Sequence, residues 1–185
     1  VNPGVTLTLL RNGGTISSSL GGKVNGQGTV RIISDHSIGV SLFDAPLRID
    51  SSGSGGSRII GFLRPITSTS NVEISGSNES ALGNNWTVNA NGNNITFENG
   101  SSLLISSRAG RNVTFDAGTD GAIRFNPTST LTIEGAGNTT FDADSSDLYL
   151  NDLTLSGTGT LSAPGAGKIF EVSGNWNRVG GTFNH

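Results

Sequence analysis

The most constraining feature of this sequence is a long series of short runs in which apolar and polar residues alternate. Two-residue alternation is typical of β-strands with one buried face. The runs start roughly eight to thirteen residues apart, with Gly, Asn, Ser and Asp between them. The expected inward positions are Val5, Leu7, Leu9, Val30, Ile32, Ile38, Val40, Leu42, Leu47, Ile49, Val72, Ile74, Trp86, Val88, Ile95, Phe97, Leu103, Ile105, Val113, Phe115, Ile123, Phe125, Leu131, Ile133, Leu148, Leu150, Leu153, Leu155, Phe170 and Val172. This pattern predicts an almost entirely β-structured chain.

The composition argues against a helical protein. Only 14% of the 185 residues are charged, and 28 are glycines, whereas an average globular protein has nearly twice that charged fraction. The residues that usually cover helix surfaces are correspondingly scarce. The length fits one domain, so we expect residues 1–185 to form a single unit.

Three segments share the pattern Asn-x-Thr-Phe-acid and indicate an internal repeat. They are residues 94–98, 112–116 and 138–142, spaced 18 and 26 residues apart, and residues 85–88 are a looser match. Uneven spacings of this size fit the coils of a solenoid, in which equivalent residues stack on one another. We therefore predict that Phe97, Phe115 and Phe141 are buried at equivalent positions of successive coils.

Two fold classes remain open, and the first is favoured. The repeat and about twenty short strand-like runs predict a right-handed parallel β-helix, since so many strands are too many for a compact sandwich. Four Asn-Gly pairs, at Asn12, Asn25, Asn91 and Asn99, favour the alternative of an antiparallel β-sandwich or barrel. Under that alternative, residues 95–106 would form a hairpin around Asn99.

One segment interrupts the pattern. Residues 51–57 read Ser-Ser-Gly-Ser-Gly-Gly-Ser, a low-complexity stretch between two apolar runs. We interpret it as a loop that protrudes from the single domain rather than as a linker between two domains.

The residues that could carry chemistry are few. The chain has no Cys and two histidines, His36 and His185, and it contains no Gly-x-Ser-x-Gly motif. We expect His36 to be a solvated turn residue. The one dense acidic cluster comprises Asp142, Asp144 and Asp147, followed by Asp152, and we interpret it as a solvated face and turn. The sequence thus predicts no catalytic residue, no metal site and no cofactor.

Three aromatic residues could stack on sugar rings: Trp86, Trp176 and Tyr149. Because Trp176 shares the alternation of Phe170 and Val172, we expect it to pack in the core instead. Surface glycans are nonetheless a candidate partner.

The charge balance excludes other partners. With 14 acidic and 11 basic residues, the net charge is −3, and the arginines are scattered along the chain. The sequence contains no basic patch of the kind that binds nucleic acid, and no apolar run approaches the length that membrane insertion needs.

The C-terminal part resembles a group of known proteins. Residues 157–161, 170–176 and 180–183 read Gly-Thr-Gly-Thr-Leu, Phe-Glu-Val-Ser-Gly-Asn-Trp and Gly-Gly-Thr-Phe. Sequence of this kind extends over about residues 70–185. It resembles the β-strand repeats of large secreted bacterial surface proteins, the filamentous-haemagglutinin-like adhesins and autotransporter passengers. The secretion-domain motif of the haemagglutinin group is not present in the chain. The resemblance implies an extracellular β-helical rod on the cell surface, with a structural or adhesive role and no catalysis.

The terminal segments bear on assembly. The chain has no Met and starts at Val1, so we expect that a secretory signal peptide or the rest of a larger protein was removed. Both terminal segments continue the alternating pattern without a capping segment. We therefore expect a filament subunit, surface-layer subunit or adhesin segment that binds copies of itself end to end. The alternative is a polysaccharide-binding or polysaccharide-degrading β-helix protein.

Overall fold

The computed structural model describes residues 1–9, 14–17, 22–50, 57–62, 66–75, 85–118, 121–141 and 147–185. Within these residues the chain forms strands and turns and no helix. The strands in chain order are β1 (Thr6–Leu9), β2 (Gly14–Ser17), β3 (Lys23–Asn25), β4 (Thr29–Ile32), β5 (His36–Gly39), β6 (Leu42–Asp44), β7 (Leu47–Asp50), β8 (Ser57–Phe62), β9 (Ile66–Ser68), β10 (Asn71–Ser75), β11 (Asn85–Asn89), β12 (Ile95–Phe97), β13 (Ser102–Ser107), β14 (Asn112–Asp116), β15 (Ala122–Phe125), β16 (Thr130–Gly135), β17 (Asn138–Phe141), β18 (Asp147–Leu150), β19 (Asp152–Leu155), β20 (Thr160–Ser162), β21 (Phe170–Val172), β22 (Trp176–Arg178) and β23 (Thr182–Asn184).

These strands form three parallel sheets. The first sheet runs β1-β4-β7-β10-β13-β16-β19-β22, the second β2-β5-β8-β11-β14-β17-β20-β23, and the third β3-β6-β9-β12-β15-β18-β21. Each coil of the chain gives one strand to each sheet in turn, which is the arrangement of a parallel β-helix. The predicted β-solenoid is thereby confirmed, and the antiparallel sandwich or barrel is wrong.

The coils differ in length but keep a common register. In the first sheet one inward position passes through Leu7, Val30, Leu47, Val72, Leu103, Leu131, Leu153 and Trp176. We call such a set of residues, one at the same position of each successive coil, a ladder. Its successive members lie 23, 17, 25, 31, 28, 22 and 23 residues apart in the sequence. The variation lies in the corners between strands, because the ladder pairing fixes the strands themselves.

The core is the inside of the coil, and alternation located most of it correctly. Nearly all the expected inward residues from Val30 to Leu155 are buried. Leu42 is an exception, since it is half-buried on the outer face and its neighbour Phe43 points inward instead. The alternation changes phase at the corner after β5, so Val40 and Leu42 do not lie on one face.

The predicted phenylalanine stack is only partly right. Phe115 and Phe141 are paired neighbours in the second sheet, and all three predicted residues are buried. Phe97 belongs to the third sheet, where it pairs with Phe125. The residue that precedes Phe115 in its own ladder is Val88, within the looser match at residues 85–88. Phe97 is thus not at an equivalent position to the other two.

The Asn-Gly pairs at Asn25, Asn91 and Asn99 lie at corners of the coil, and the pair at Asn12 lies outside the described residues. Asn99-Gly100 connects β12 of the third sheet to β13 of the first, so the expected hairpin at residues 95–106 does not exist. Gly100 has a φ of +77°, a left-handed conformation that glycine adopts without steric cost. Corners and hairpins need the same backbone conformation, which is why the dipeptide alone did not distinguish them.

The predicted loop at residues 51–57 lies mostly outside the described residues. Ser57 is the exception, because it is the first residue of β8 and therefore belongs to the second sheet.

Candidate functional site

Exposed apolar side chains concentrate at the two ends of the solenoid. Of the six large apolar residues that are exposed in the described part of the chain, five lie in the first coil or after β20. Only Ile59 lies on the side wall, in β8. The six are Val5, Leu7, Ile59, Ile169, Trp176 and Val179. Burial of apolar surface would consequently stabilise the protein most at these two ends.

An aromatic cluster lies at the end formed by β21, β22 and β23, which we call the C-terminal face. Phe170, Trp176 and Phe183 come from the third, first and second sheets, respectively. The ring centroid of Trp176 is 4.8 Å from that of Phe183 and 5.8 Å from that of Phe170. Each residue continues an inward ladder, yet Trp176 is 43% exposed because no further coil lies over it within the described residues.

The opposite end, formed by β1, β2 and β3, is the N-terminal face. Leu7 stacks on buried Val30 and is nevertheless 48% exposed. Leu9 and Val24 are half-buried above Ile32 and Phe43. Residues 1–5 lie beside this face, where the Val1 carbonyl accepts a hydrogen bond from the Gly28 amide. They leave Val5 and Leu7 exposed.

The backbone at both faces is available for pairing. Strands β1, β2 and β3 end their sheets on one side, and β21, β22 and β23 end them on the other. The outer edge of each of these strands carries amide and carbonyl groups that have no strand partner within the described residues. Such edges template the addition of another strand. Because every sheet is parallel, the edges at one face complement those at the other.

The side wall, in contrast, uses its polar side chains to hold coils together. Asn side chains at strand starts accept hydrogen bonds from the backbone amide of the coil that follows: Asn85 from Asn112, Asn94 from Ala122, and Asn138 from Thr160, each at 3.0–3.1 Å. These bonds replace main-chain pairing where the chain turns a corner. Asn94 and Asn138 of the repeat motif therefore have a structural role, as does Asn85 of the looser match.

Two residues of the acidic cluster also form hydrogen bonds between coils. Asp147 accepts a hydrogen bond from the Ile169 amide at 3.0 Å, and Asp152 accepts one from the Asn175 amide at 2.7 Å. They lie in different sheets. Asp142 and Asp144 lie outside the described residues. Among the residues that the structure describes, no group of three His, Cys, Asp or Glu side chains could hold a metal ion.

His36 differs from its prediction. It is a strand residue of β5, only 6% exposed, and its Nδ1 lies 3.0 Å from the Ser34 carbonyl oxygen. Residue 36 lies two positions before buried Ile38 in the same strand, so the alternation places its imidazole on the inward face. The expectation of a solvated turn residue was wrong because it relied on the polarity of histidine rather than on its position.

The aromatic candidates for sugar stacking have three different environments. Trp86 is buried in the core, and its ring presents no face to solvent. Tyr149 lies on the outer wall, but the Arg124 guanidinium lies 4.0 Å from its ring centroid and covers it. Trp176 has the predicted inward register, although it is an exposed residue of the C-terminal face and not a core residue.

A polar groove crosses the outer face of the first sheet near the N-terminal face. It is lined by Thr6, Thr8, Thr29, Arg31, Pro46, Leu47, Arg48, Asp50, Asn71 and Glu73. Arg31 and Arg48 are neighbours in one ladder, and the buried carboxylate of Asp50 lies 2.8 Å from Arg31 Nη2 and 3.3 Å from Arg48 Nε. Asp50 thereby offsets the repulsion between two adjacent like charges.

The described residues include no helix of the length and hydrophobicity that crossing a membrane requires. No protein-family model matches the chain, and neither the curated proteins nor the solved structures contain a match to it.

Proposed function

We propose that this chain is a non-catalytic structural rod of the extracellular cell surface, a subunit that stacks end to end with copies of itself. The observation that carries the proposal is the concentration of exposed apolar residues on the two faces that end the sheets. A further coil stacked on either face would stabilise the protein, since Leu7 and Trp176 each expose apolar surface that it would bury.

The composition of the side wall also supports a structural role. Its Asn and Asp side chains are engaged in hydrogen bonds between coils, as at Asn85, Asn138 and Asp152. Extracellular placement is supported by the resemblance to secreted bacterial β-strand repeats. An adhesin segment or surface-layer subunit would use the same stacking.

Sedimentation velocity and electron microscopy of the 185-residue chain test the proposal. We expect the wild-type chain to form particles that lengthen with concentration. Leu7→Asp on the N-terminal face and Trp176→Asp on the C-terminal face should each leave short species, because a carboxylate cannot be buried unpaired at the joint.

Ile59→Asp is the matched control. Ile59 is as exposed as Leu7 but lies on the side wall, away from both faces. This variant should assemble like the wild type. Equal loss of assembly in all three variants, or a wild-type chain that remains monomeric at high concentration, would contradict the proposal.

A second candidate, glycan binding, is favoured by the polar groove beside Arg31 and Arg48. Threonine hydroxyls and arginine guanidiniums are donors for sugar hydroxyls and carboxylates, and Thr6, Thr8 and Arg48 line the groove. Binding of a polysaccharide on a glycan array, abolished by Arg48→Ala but retained in Leu7→Asp, would support this candidate. Turnover of that polysaccharide would contradict the non-catalytic proposal.

A further inference from the structure

The polar groove on the outer face of the first sheet supports an inference that does not depend on how copies assemble. It rests on the second candidate function, glycan binding, and concerns the class of glycan that the groove fits. The groove has a volume of about 730 Å³, within the range of about 300–1,000 Å³ that is usual for ligand clefts. This size suits a short stretch of an oligosaccharide.

Two outward rows of side chains form the groove and run along the axis of the solenoid. One row is a ladder that passes through Thr8, Arg31, Arg48 and Glu73. The other consists of the residues two positions earlier in each strand or just before it, which are Thr6, Thr29, Pro46 and Asn71. Neighbouring strands are about 4.8 Å apart, so each row spans about 14 Å. The groove therefore fits an extended ligand better than a compact one.

Arg48 and Glu73 are charged groups of the groove whose hydrogen-bonding capacity the protein does not use. Arg48 Nε lies 3.3 Å from Asp50 Oδ2 and 3.9 Å from Glu73 Oε1, yet it makes no hydrogen bond. Within the described part of the chain, neither the Arg48 guanidinium nor the Glu73 carboxylate takes part in any hydrogen bond. Their side chains are 31% and 38% exposed, so a ligand can reach both. Asp50, in contrast, is buried and accepts two hydrogen bonds from Arg31.

The charges that line the groove cancel one another. Arg31 and Arg48 are positive, and Asp50 and Glu73 are negative. A negatively charged group bound at Arg48 would lie close to the Glu73 carboxylate and be repelled by it, because the two residues are paired neighbours in the first sheet. A positively charged group at Glu73 would be repelled by Arg48 in the same way. An uncharged hydroxyl group meets neither repulsion.

We propose that the groove binds an uncharged glycan, with hydroxyl groups of one sugar ring held between Arg48 and Glu73. A hydroxyl group accepts a hydrogen bond from a guanidinium and donates one to a carboxylate, so it uses both unused groups at once. Thr8 and the amide group of Asn71 line the same groove and add contacts of the same kind. Pro46 adds an apolar ring against which the C–H face of a sugar packs.

Isothermal titration calorimetry with neutral and acidic oligosaccharides of equal length tests the proposal. The neutral probes are the hexamers of the cellulose, chitin, starch and laminarin series, and the acidic probe is the hexamer of galacturonic acid. Each titration uses the full chain and, in parallel, its Trp176→Asp variant. Trp176 lies in β22, whereas the groove lies on β1, β4, β7 and β10, so this variant separates binding from end-to-end stacking.

We expect at least one neutral hexamer to bind with an affinity that added salt does not change, because salt screens only charges. Arg48→Ala and Glu73→Ala should each weaken this binding about tenfold or more, since each removes a hydrogen bond to a charged group. Glu73→Gln keeps an acceptor oxygen and should retain most of the affinity, which guards against a loss caused by unfolding. Arg124→Ala and Glu134→Ala are the matched controls, because both residues are exposed and lie outside the groove; they should bind like the parent chain.

Two results would overturn the proposal in different ways. Salt-sensitive binding of the acidic hexamer alone, lost in Arg48→Ala, would overturn the uncharged class and leave glycan binding in the groove standing. Binding of none of the hexamers, or neutral binding that both alanine variants retain, would overturn the groove as a glycan site. Neither result bears on stacking, which sedimentation measures separately.

Discussion

Phe115 lies one coil below Phe141, and their ring centroids are 5.1 Å apart with the ring planes inclined by 21°. Phe97 and Phe125 form a second stacked pair in another sheet, with centroids 4.4 Å apart. The core thus contains two separate aromatic ladders. This separation predicts which pairs of phenylalanines are energetically coupled.

Phe115→Ala should lower the free energy of unfolding by about 3–5 kcal/mol, because it leaves a cavity in a buried ladder. A double-mutant cycle for Phe115 and Phe141 should show a coupling of about 0.5–1.5 kcal/mol, and the pair Phe97 and Phe125 should behave alike. Phe97 and Phe141, from different sheets and non-adjacent coils, serve as the control and should be additive. Urea denaturation measures all three; strong coupling in the control pair would restore the single stack that the sequence predicted.

A column of glycines at the corner between the first and second sheets should tolerate no side chain. A Cβ atom added to Gly157 would collide with the Gly135 carbonyl oxygen of the preceding coil. Gly157→Ala should therefore destabilise by about 1–3 kcal/mol. Gly61→Ala is the control, since its Cβ would meet ordinary contacts no closer than 3.7 Å. Thermal unfolding that finds the two variants equally stable would contradict the close approach of the coils.

The cross-coil role of the repeat asparagines predicts which replacement is tolerated. Asn138→Ala removes the acceptor for the Thr160 amide and should cost about 1 kcal/mol. Asn138→Asp keeps a side-chain oxygen acceptor and should recover most of that loss, since the Asp152 carboxylate accepts the same kind of bond at the start of β19. Chemical denaturation compares the variants. Equal losses for Ala and Asp would show that the amide group itself, and not the oxygen, is required.

The two carboxylates beside Arg48 should differ in their effect on stability. Asp50 is 1% exposed and receives two hydrogen bonds from Arg31, so Asp50→Ala should cost about 2 kcal/mol. Glu73 is half exposed and lies 3.9 Å from Arg48, so Glu73→Ala should cost less than about 1 kcal/mol. Denaturation at low salt gives both values, and a larger loss for Glu73 would refute this order.

The sequence predicted the buried faces well because burial depends only on alternation within each strand. It could not assign strands to sheets, as Phe97 illustrates. Asn94 and Asn85 make the same cross-coil hydrogen bond at the starts of strands in different sheets. The Asn-x-Thr-Phe motif therefore marks a corner followed by a strand, whichever sheet that strand joins. With coils of 17–31 residues, no fixed period could separate the two cases.

The candidate site was predicted only in outline. Uncapped alternation pointed to both ends, but the cluster of Phe170, Trp176 and Phe183 depends on three sheets meeting at one face. That convergence requires the coil register, which local patterns do not contain. The alternation with Ile38 indicates that His36 is buried, whereas the polarity of histidine favours an exposed position.

X-ray diffraction from aligned filaments of the 185-residue chain tests end-to-end stacking most directly. Stacked solenoids place the strands perpendicular to the filament axis, so we expect a reflection at about 4.8 Å along that axis. Assembly through the side walls would place this reflection away from the filament axis. That result, or a chain that forms no filaments at any concentration, would contradict the account.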